Sequence, residues 1–167
     1  MRTRGLVYGG KISSPDLKLL LDESYNKEMN DLDEYELDKE LSHDTAKVFK
    51  RKGTNEVFVV HRGSYDLTDL VENYGYINTG FYRQGNRYKK AKDTQDKAEE
   101  KYGSENVSTI GHSKGAKYAE MVGQNSKDII TLNKPAHFTD LISKVPEKQT
   151  DIKSSRDPVS FLRPMQR

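Results

Sequence analysis

The stretch Val107-Ser108-Thr109-Ile110-Gly111-His112-Ser113-Lys114-Gly115-Ala116 decides how this chain folds. It opens on a short, largely β-branched run, passes through a tight turn with two glycines, and continues into residues 116–124, which have the composition of a good helix. Gly111-x-Ser113-x-Gly115 between a strand and a helix is the nucleophile-elbow pattern. The turn forces the Ser backbone into a strained conformation, and a Cβ at either glycine would meet the adjoining strand or helix. The hydroxyl is thereby expected at the carboxyl edge of a sheet, beside a helix N-terminus whose amides and dipole favour developing negative charge. The plain alternative is an ordinary strand-turn-helix in which Ser113 is the N-cap.

Downstream of the helix, residues 128–132 read as a further strand leading to Asn133-Lys134-Pro135. Residues 151–155 read as one more edge strand before Arg156-Asp157-Pro158. Upstream, residues 46–50 and 56–61 are β-rich runs joined by Arg51-Lys52-Gly53-Thr54-Asn55, a hairpin with a Gly-containing loop. Val57-Phe58-Val59-Val60 is uninterruptedly apolar, as a central strand covered on both faces would be. Residues 63–80 suit a structured loop over the end of that strand. Residues 84–102 suit a surface helix with apolar material only at Tyr88, Ala91, Ala98 and Tyr102. Strands alternating with helices after residue 56 predict an α/β fold, with a mostly parallel sheet and flanking helices.

At the N-terminus, residues 1–12 suit a flexible basic arm, and residues 13–167 are expected to form a single domain. Ser13-Ser14-Pro15-Asp16 is a helix start, with an N-cap Ser and Pro at the first helical position. Leu17, Leu20, Leu21 and Ser24 would share one face of that helix. The acidic stretch 26–40 reads as a solvated loop or helix face, since no compact metal-loop spacing appears in it.

The 167 residues carry 28 Lys and Arg against 26 Asp and Glu, and a net charge of +2 makes no electrostatic case for nucleic acid or a membrane surface as partner. Cys is absent, which excludes disulfides, thiolate zinc sites and a cysteine nucleophile. No apolar run approaches the roughly 20 residues needed to span a bilayer. The opening residues, with Arg2 and Arg4, lack the apolar centre of a signal peptide, so a cytoplasmic or particle-associated location is expected. Lys89, Lys90 and Lys92 stand among Asp93, Asp96, Glu99 and Glu100, a solvated face rather than a basic patch. Tyr74, Tyr76, Phe81 and Tyr82 could line an acyl pocket or simply pack a loop.

Several ordered motifs across residues 40–164 resemble one family, the fungal-type or class 3 lipases of the α/β-hydrolase superfamily. Gly111-His112-Ser113-Lys114-Gly115-Ala116 resembles the family's Gly-His-Ser-Leu-Gly-Gly elbow, with Lys and Ala at the fourth and sixth positions. Val59-Val60-His61-Arg62-Gly63-Ser64 is similar to its strand ending in Phe-Arg-Gly-Thr or Phe-Arg-Gly-Ser, and Asp66-Leu67-Thr68-Asp69-Leu70 to the segment that follows. Gly80-Phe81-Tyr82 falls where those lipases have His-x-Gly-Phe, with Asn78 in place of the His. Asn133-Lys134-Pro135 sits where a Gly-Ser-Pro turn is common, and Ser155-Arg156-Asp157-Pro158-Val159 resembles the region carrying the family's acid.

The resemblance implies an α/β-hydrolase-like fold, incomplete at its C-terminal side, and a serine acyl-ester hydrolase acting on a lipid or small ester. It implies neither a metal nor an organic cofactor. Ser113 would be the nucleophile, and Asp157 would orient the triad His. The backbone N–H of Lys114, with Ser64, would hold the oxyanion. Lys114, where the family has an apolar residue, would favour acidic or polar acyl groups if it faces the pocket. Superfamily order places the His after Asp157, and none stands there; His43, His61, His112 and His137 all precede it. His61 is expected to be a packed structural histidine and His112 to point away from the pocket, while His137 has the wrong order for the base. Two readings follow. In one, a further C-terminal segment or a partner chain supplies the His and covers the sheet edge, which the sequence leaves incomplete at its C-terminal side. In the other, the protein is a catalytically inactive lipase-fold structural or binding component of a larger assembly.

Overall fold

Short β-rich segments, buried along nearly their whole length, build the centre of the molecule. The computed structural model describes residues 7–8, 12–63, 85–134, 147–153 and 163–164. In chain order the elements are β1 (Val7–Tyr8), β2 (Ile12–Ser13), α1 (Ser14–Ser24), β3 (Tyr35–Leu37), β4 (Ala46–Arg51), β5 (Val57–His61), α2 (Asn86–Tyr102), β6 (Val107–His112), α3 (Lys114–Val122), β7 (Asp128–Leu132), β8 (Gln149–Lys153) and β9 (Arg163–Pro164). Strands β3 to β9 form one mixed α/β sheet in sequence order. Its centre, β5 to β8, is parallel; β3 and β4 precede it antiparallel, and β9 closes the far side antiparallel.

The hairpin forms where Gly53, at φ 74°, supplies the positive φ of the turn, and every residue of β5 is buried, as its unbroken apolar run predicts. Parallel pairing of β5, β6 and β7 then requires the crossover helices α2 and α3. The parallel register lines up His61, Gly111, Thr131 and Asp151 as one row across the carboxyl ends of β5 to β8.

Helix α1 begins as its sequence dictates. The Ser13 hydroxyl accepts the Asp16 amide at 3.3 Å, Pro15 occupies the first turn, and Leu17, Leu20, Leu21 and Ser24 are its buried residues. These leucines pack on Phe58, Val60, Ile110, Ile130, Leu132 and Ile152 from one sheet face. On the other face, Ala98 of α2 joins Val48, Val57, Val59 and Val107, and Ala91 meets Tyr118 and Val122 of α3. The sheet is thus the middle of three layers.

Three expectations are corrected. The strand expected at 151–155 as an edge runs from Gln149 to Lys153 and lies between β7 and β9, because Ile129 to Leu132 pair with it residue for residue from Gln149 onward. The fold also reaches back into the segment expected as a flexible arm: Val7–Tyr8 pairs antiparallel with Ile12–Ser13, and Ile12 is fully buried beside the α1 leucines. Within the acidic stretch, Tyr35 and Leu37 turn inward as β3 while Glu36 faces out. The turn after α1 is held from the sheet by Lys47, whose buried ammonium donates to the carbonyls of Glu23, Asn26 and Glu28 at 2.7–2.9 Å. Among the described residues no helix is long and apolar enough to cross a membrane.

Candidate functional site

Ser113 joins β6 to α3 with φ 54° and ψ −124°; among the described residues only it and Asn133, at φ 50°, are non-glycines at positive φ. Such a conformation costs a β-carbon-bearing residue on the order of 1–3 kcal/mol and persists only where the surroundings hold it. Here the Ser113 amide donates to the Leu132 carbonyl at 2.8 Å, and the Ser113 carbonyl accepts the Ala116 amide at 3.0 Å. A Cβ on Gly111 would run into the Gly115 carbonyl and lie 2.6 Å from the Ala116 Cα; one on Gly115 would run into the carbonyls of His61 and Arg62. Both glycines are therefore required by close backbone approach. Asn133 tolerates the left-handed region better than most residues and tops β7 beside this turn, its amide donating to the Ile152 carbonyl at 2.8 Å.

Ser113 occupies the N-cap position of α3, yet its side chain makes no capping hydrogen bond. The plain N-cap alternative therefore does not account for this serine. Its half-buried hydroxyl makes no hydrogen bond with any described residue and stands at the positive end of α3. Lys114, the first residue of that helix, is buried to 7% exposure. The end of β5 lies alongside: the position a Cβ would take on Gly63 is 3.1 Å from the Ser113 Cβ and 3.0 Å from the His112 carbonyl. Ser64, the next residue, and Asp157 both lie outside the described residues, as do His137, Tyr74, Tyr76, Phe81 and Tyr82.

The three described histidines are engaged elsewhere. His61 is fully buried with Nε2 3.5 Å from the Gln95 Oε1, and burial pushes its pKa down to about 3, so it is a neutral structural group. His112 is turned to the α1 side, where its Nδ1 hydrogen-bonds the Tyr25 hydroxyl. His43 pairs through Nε2 with the Thr94 hydroxyl at 2.9 Å, and burial lowers its pKa. Around the elbow, the Arg87 guanidinium donates to the Arg62 carbonyl and lies 5.0 Å from the centre of the Tyr118 ring. Arg62 in turn donates to the carbonyls of Asp44 and Gly63.

Sequence reasoning missed two groups here. Tyr25 meets both Gly63 and His112, and only its place just after the helix bearing Leu17, Leu20 and Leu21 hinted at a buried role. The second group is a charged network beneath α3. Asp151 accepts from the Thr131 hydroxyl at 2.6 Å and from Gln149 at 2.8 Å, and pairs with Lys134 at 3.4 Å. Lys134 also reaches Glu120 at 3.1 Å, which meets Lys117 at 3.3 Å. An Asp inside a strand run was the available signal. Among the described residues no three His, Cys, Asp or Glu side chains converge as metal ligands. Comparison with family models, with curated proteins and with solved structures returns no match.

Proposed function

We propose that this chain is a serine acyl-ester hydrolase of lipase or esterase type on an α/β-hydrolase-like scaffold, acting through an acyl-Ser113 intermediate. One observation carries the reading: Ser113 adopts a strained positive-φ backbone at a strand-to-helix turn, with Gly111 and Gly115 packed against backbone on both sides. A capping serine would need no such backbone, and its hydroxyl would bond the helix. In the reaction, the Ser113 oxygen attacks an ester carbonyl as its proton passes to a general base. The protonated base gives that proton to the leaving oxygen as the intermediate collapses to an acyl-serine and an alcohol, and the same base then deprotonates the water that hydrolyses the acyl-serine. The amide of Lys114 and the Ser64 group following Gly63 would hold the oxyanion, each worth about 3 kcal/mol in the transition state. Asp157 would orient the base.

The second reading, an inactive lipase-fold binding protein, draws on the engagement of His43, His61 and His112 away from Ser113. A fluorophosphonate probe separates the two. Labelling of the full chain that vanishes in Ser113→Ala supports the hydrolase. A chain that neither labels nor cleaves a short-chain nitrophenyl ester favours the binding protein.

A further inference from the structure

We infer that Tyr25 is a positioning residue for the Ser113 turn, acting through Gly63 and His112 beside it. The inference rests on the reading of Ser113 as nucleophile and names a residue that the reading does not itself require. Tyr25 ends α1 as its C-cap, and the turn after it is fixed by Lys47 through the carbonyls of Glu23, Asn26 and Glu28. From there its hydroxyl accepts the Gly63 amide at 2.9 Å and hydrogen-bonds Nδ1 of His112. Its ring stands edge-on to the imidazole, centroids 5.6 Å apart at 70°. A phenol oxygen can accept one bond while donating another, so this one group satisfies both neighbours at once.

The two residues it joins are the ones immediately before the proposed chemical groups. His112 precedes Ser113, and Gly63 precedes Ser64. The three groups also crowd one point: the Cβ position of Gly63 lies 2.5 Å from the Tyr25 oxygen and 3.1 Å from the Ser113 Cβ. An oxyanion donor acts only if it is aimed before charge develops, and supporting hydrogen bonds set that aim. With the hydroxyl removed, the Gly63 amide loses its acceptor, and the end of β5 is no longer tied through Tyr25 to the residue that leads into the Ser113 turn.

The test compares Tyr25→Phe with Tyr102→Phe in the full chain. Tyr102 donates to Asp38 at 2.6 Å near the amino end of β6, the opposite edge of the sheet, so it reports the loss of a phenol hydrogen bond without the site. Tyr25→Phe is expected to slow fluorophosphonate labelling of Ser113 by about 10- to 100-fold, the range for a misplaced reacting group. It should lower kcat on a short-chain ester with KM unchanged, while Tyr102→Phe labels at the wild-type rate. A folded Tyr25→Phe that labels as fast as wild type overturns the inference and leaves the hydrolase reading intact; a wild-type chain that never labels overturns both. Should Tyr25→Phe fail to fold, His112→Phe, which removes the other end of the bridge, is expected to slow labelling as well, and an unchanged rate there overturns the inference too.

Discussion

On the α1 face of the sheet, Phe58, Val60, Ile110, Ile130 and Leu132 meet Leu17, Leu20 and Leu21 in an apolar layer, and the polar ties to α1 lie at its two ends. On the α2–α3 face β5 to β8 present His61, Thr109, Thr131, Gln149 and Asp151, all buried, and the helices answer with Gln95 and Glu120. An apolar face is satisfied by any neighbour of suitable volume. A polar face is satisfied only by a partner of the right kind at hydrogen-bond distance, because each unpaired buried group costs about 1–3 kcal/mol. The first face is therefore stabilised mainly by area, and the second combines valine packing with pairs of specified chemistry.

The sharpest way to expose the difference is to delete bulk from the apolar side. Phe58→Ala removes a fully enclosed ring stacked edge-on to Tyr35, 5.9 Å between centroids, and should lower unfolding free energy by about 3–5 kcal/mol in urea titration. The polar side is tested by a change that conserves volume. Gln95 donates to the Thr109 hydroxyl at 2.8 Å and faces His61, so Gln95→Leu should cost about 1–3 kcal/mol although it adds apolar surface. Equal or greater stability in that variant would mean that the polar face, too, is held by area.

Acid probes the same polar face without a substitution. The folded pKa of His61 is held at about 3, below its ordinary 6.5, so between those values the unfolded chain binds the extra proton. Stability present above about pH 6.5 is then lost as the pH falls toward 3, by up to about 1.4 kcal/mol per pH unit. Urea midpoints measured across that window should fall more steeply for wild type than for His61→Gln. Parallel curves would show that His61 is not held neutral.

The same contrast explains what could be read from the sequence. Leu17, Leu20 and Leu21 follow helical spacing, residues 128–132 carry a β-rich run bounded by polar residues, and Gly111 and Gly115 mark their turn by composition alone. These signals are local, and the described elements lie close to where they pointed. Thr94 and Gln95 were invisible because a polar residue in a polar helix reads as solvated until its distant partners, His43, His61 and Thr109, are known. Strand β3 hid in the acidic stretch for a similar reason, since two inward residues, Tyr35 and Leu37, set too short an alternation to outweigh their neighbours. At the candidate site the strand-turn-helix around Ser113 was legible, while Ser64 and Asp157 lie outside the described residues. Tyr25 was not, because its role depends on the turn that brings α1's end against β5 and β6.

The convergence of three carbonyls on Lys47 closes that position even to its nearest chemical relative. A compact ammonium can sit at the focus of Glu23, Asn26 and Glu28, whereas a guanidinium spreads its donors in a flat fork and has no single point to offer them. Arginine would keep the charge and still prise the loop open, carrying Tyr25 with it. The second strand of the main sheet thus governs, through the shape of one cation, how the end of the first helix is delivered to the carboxyl end of the parallel strands.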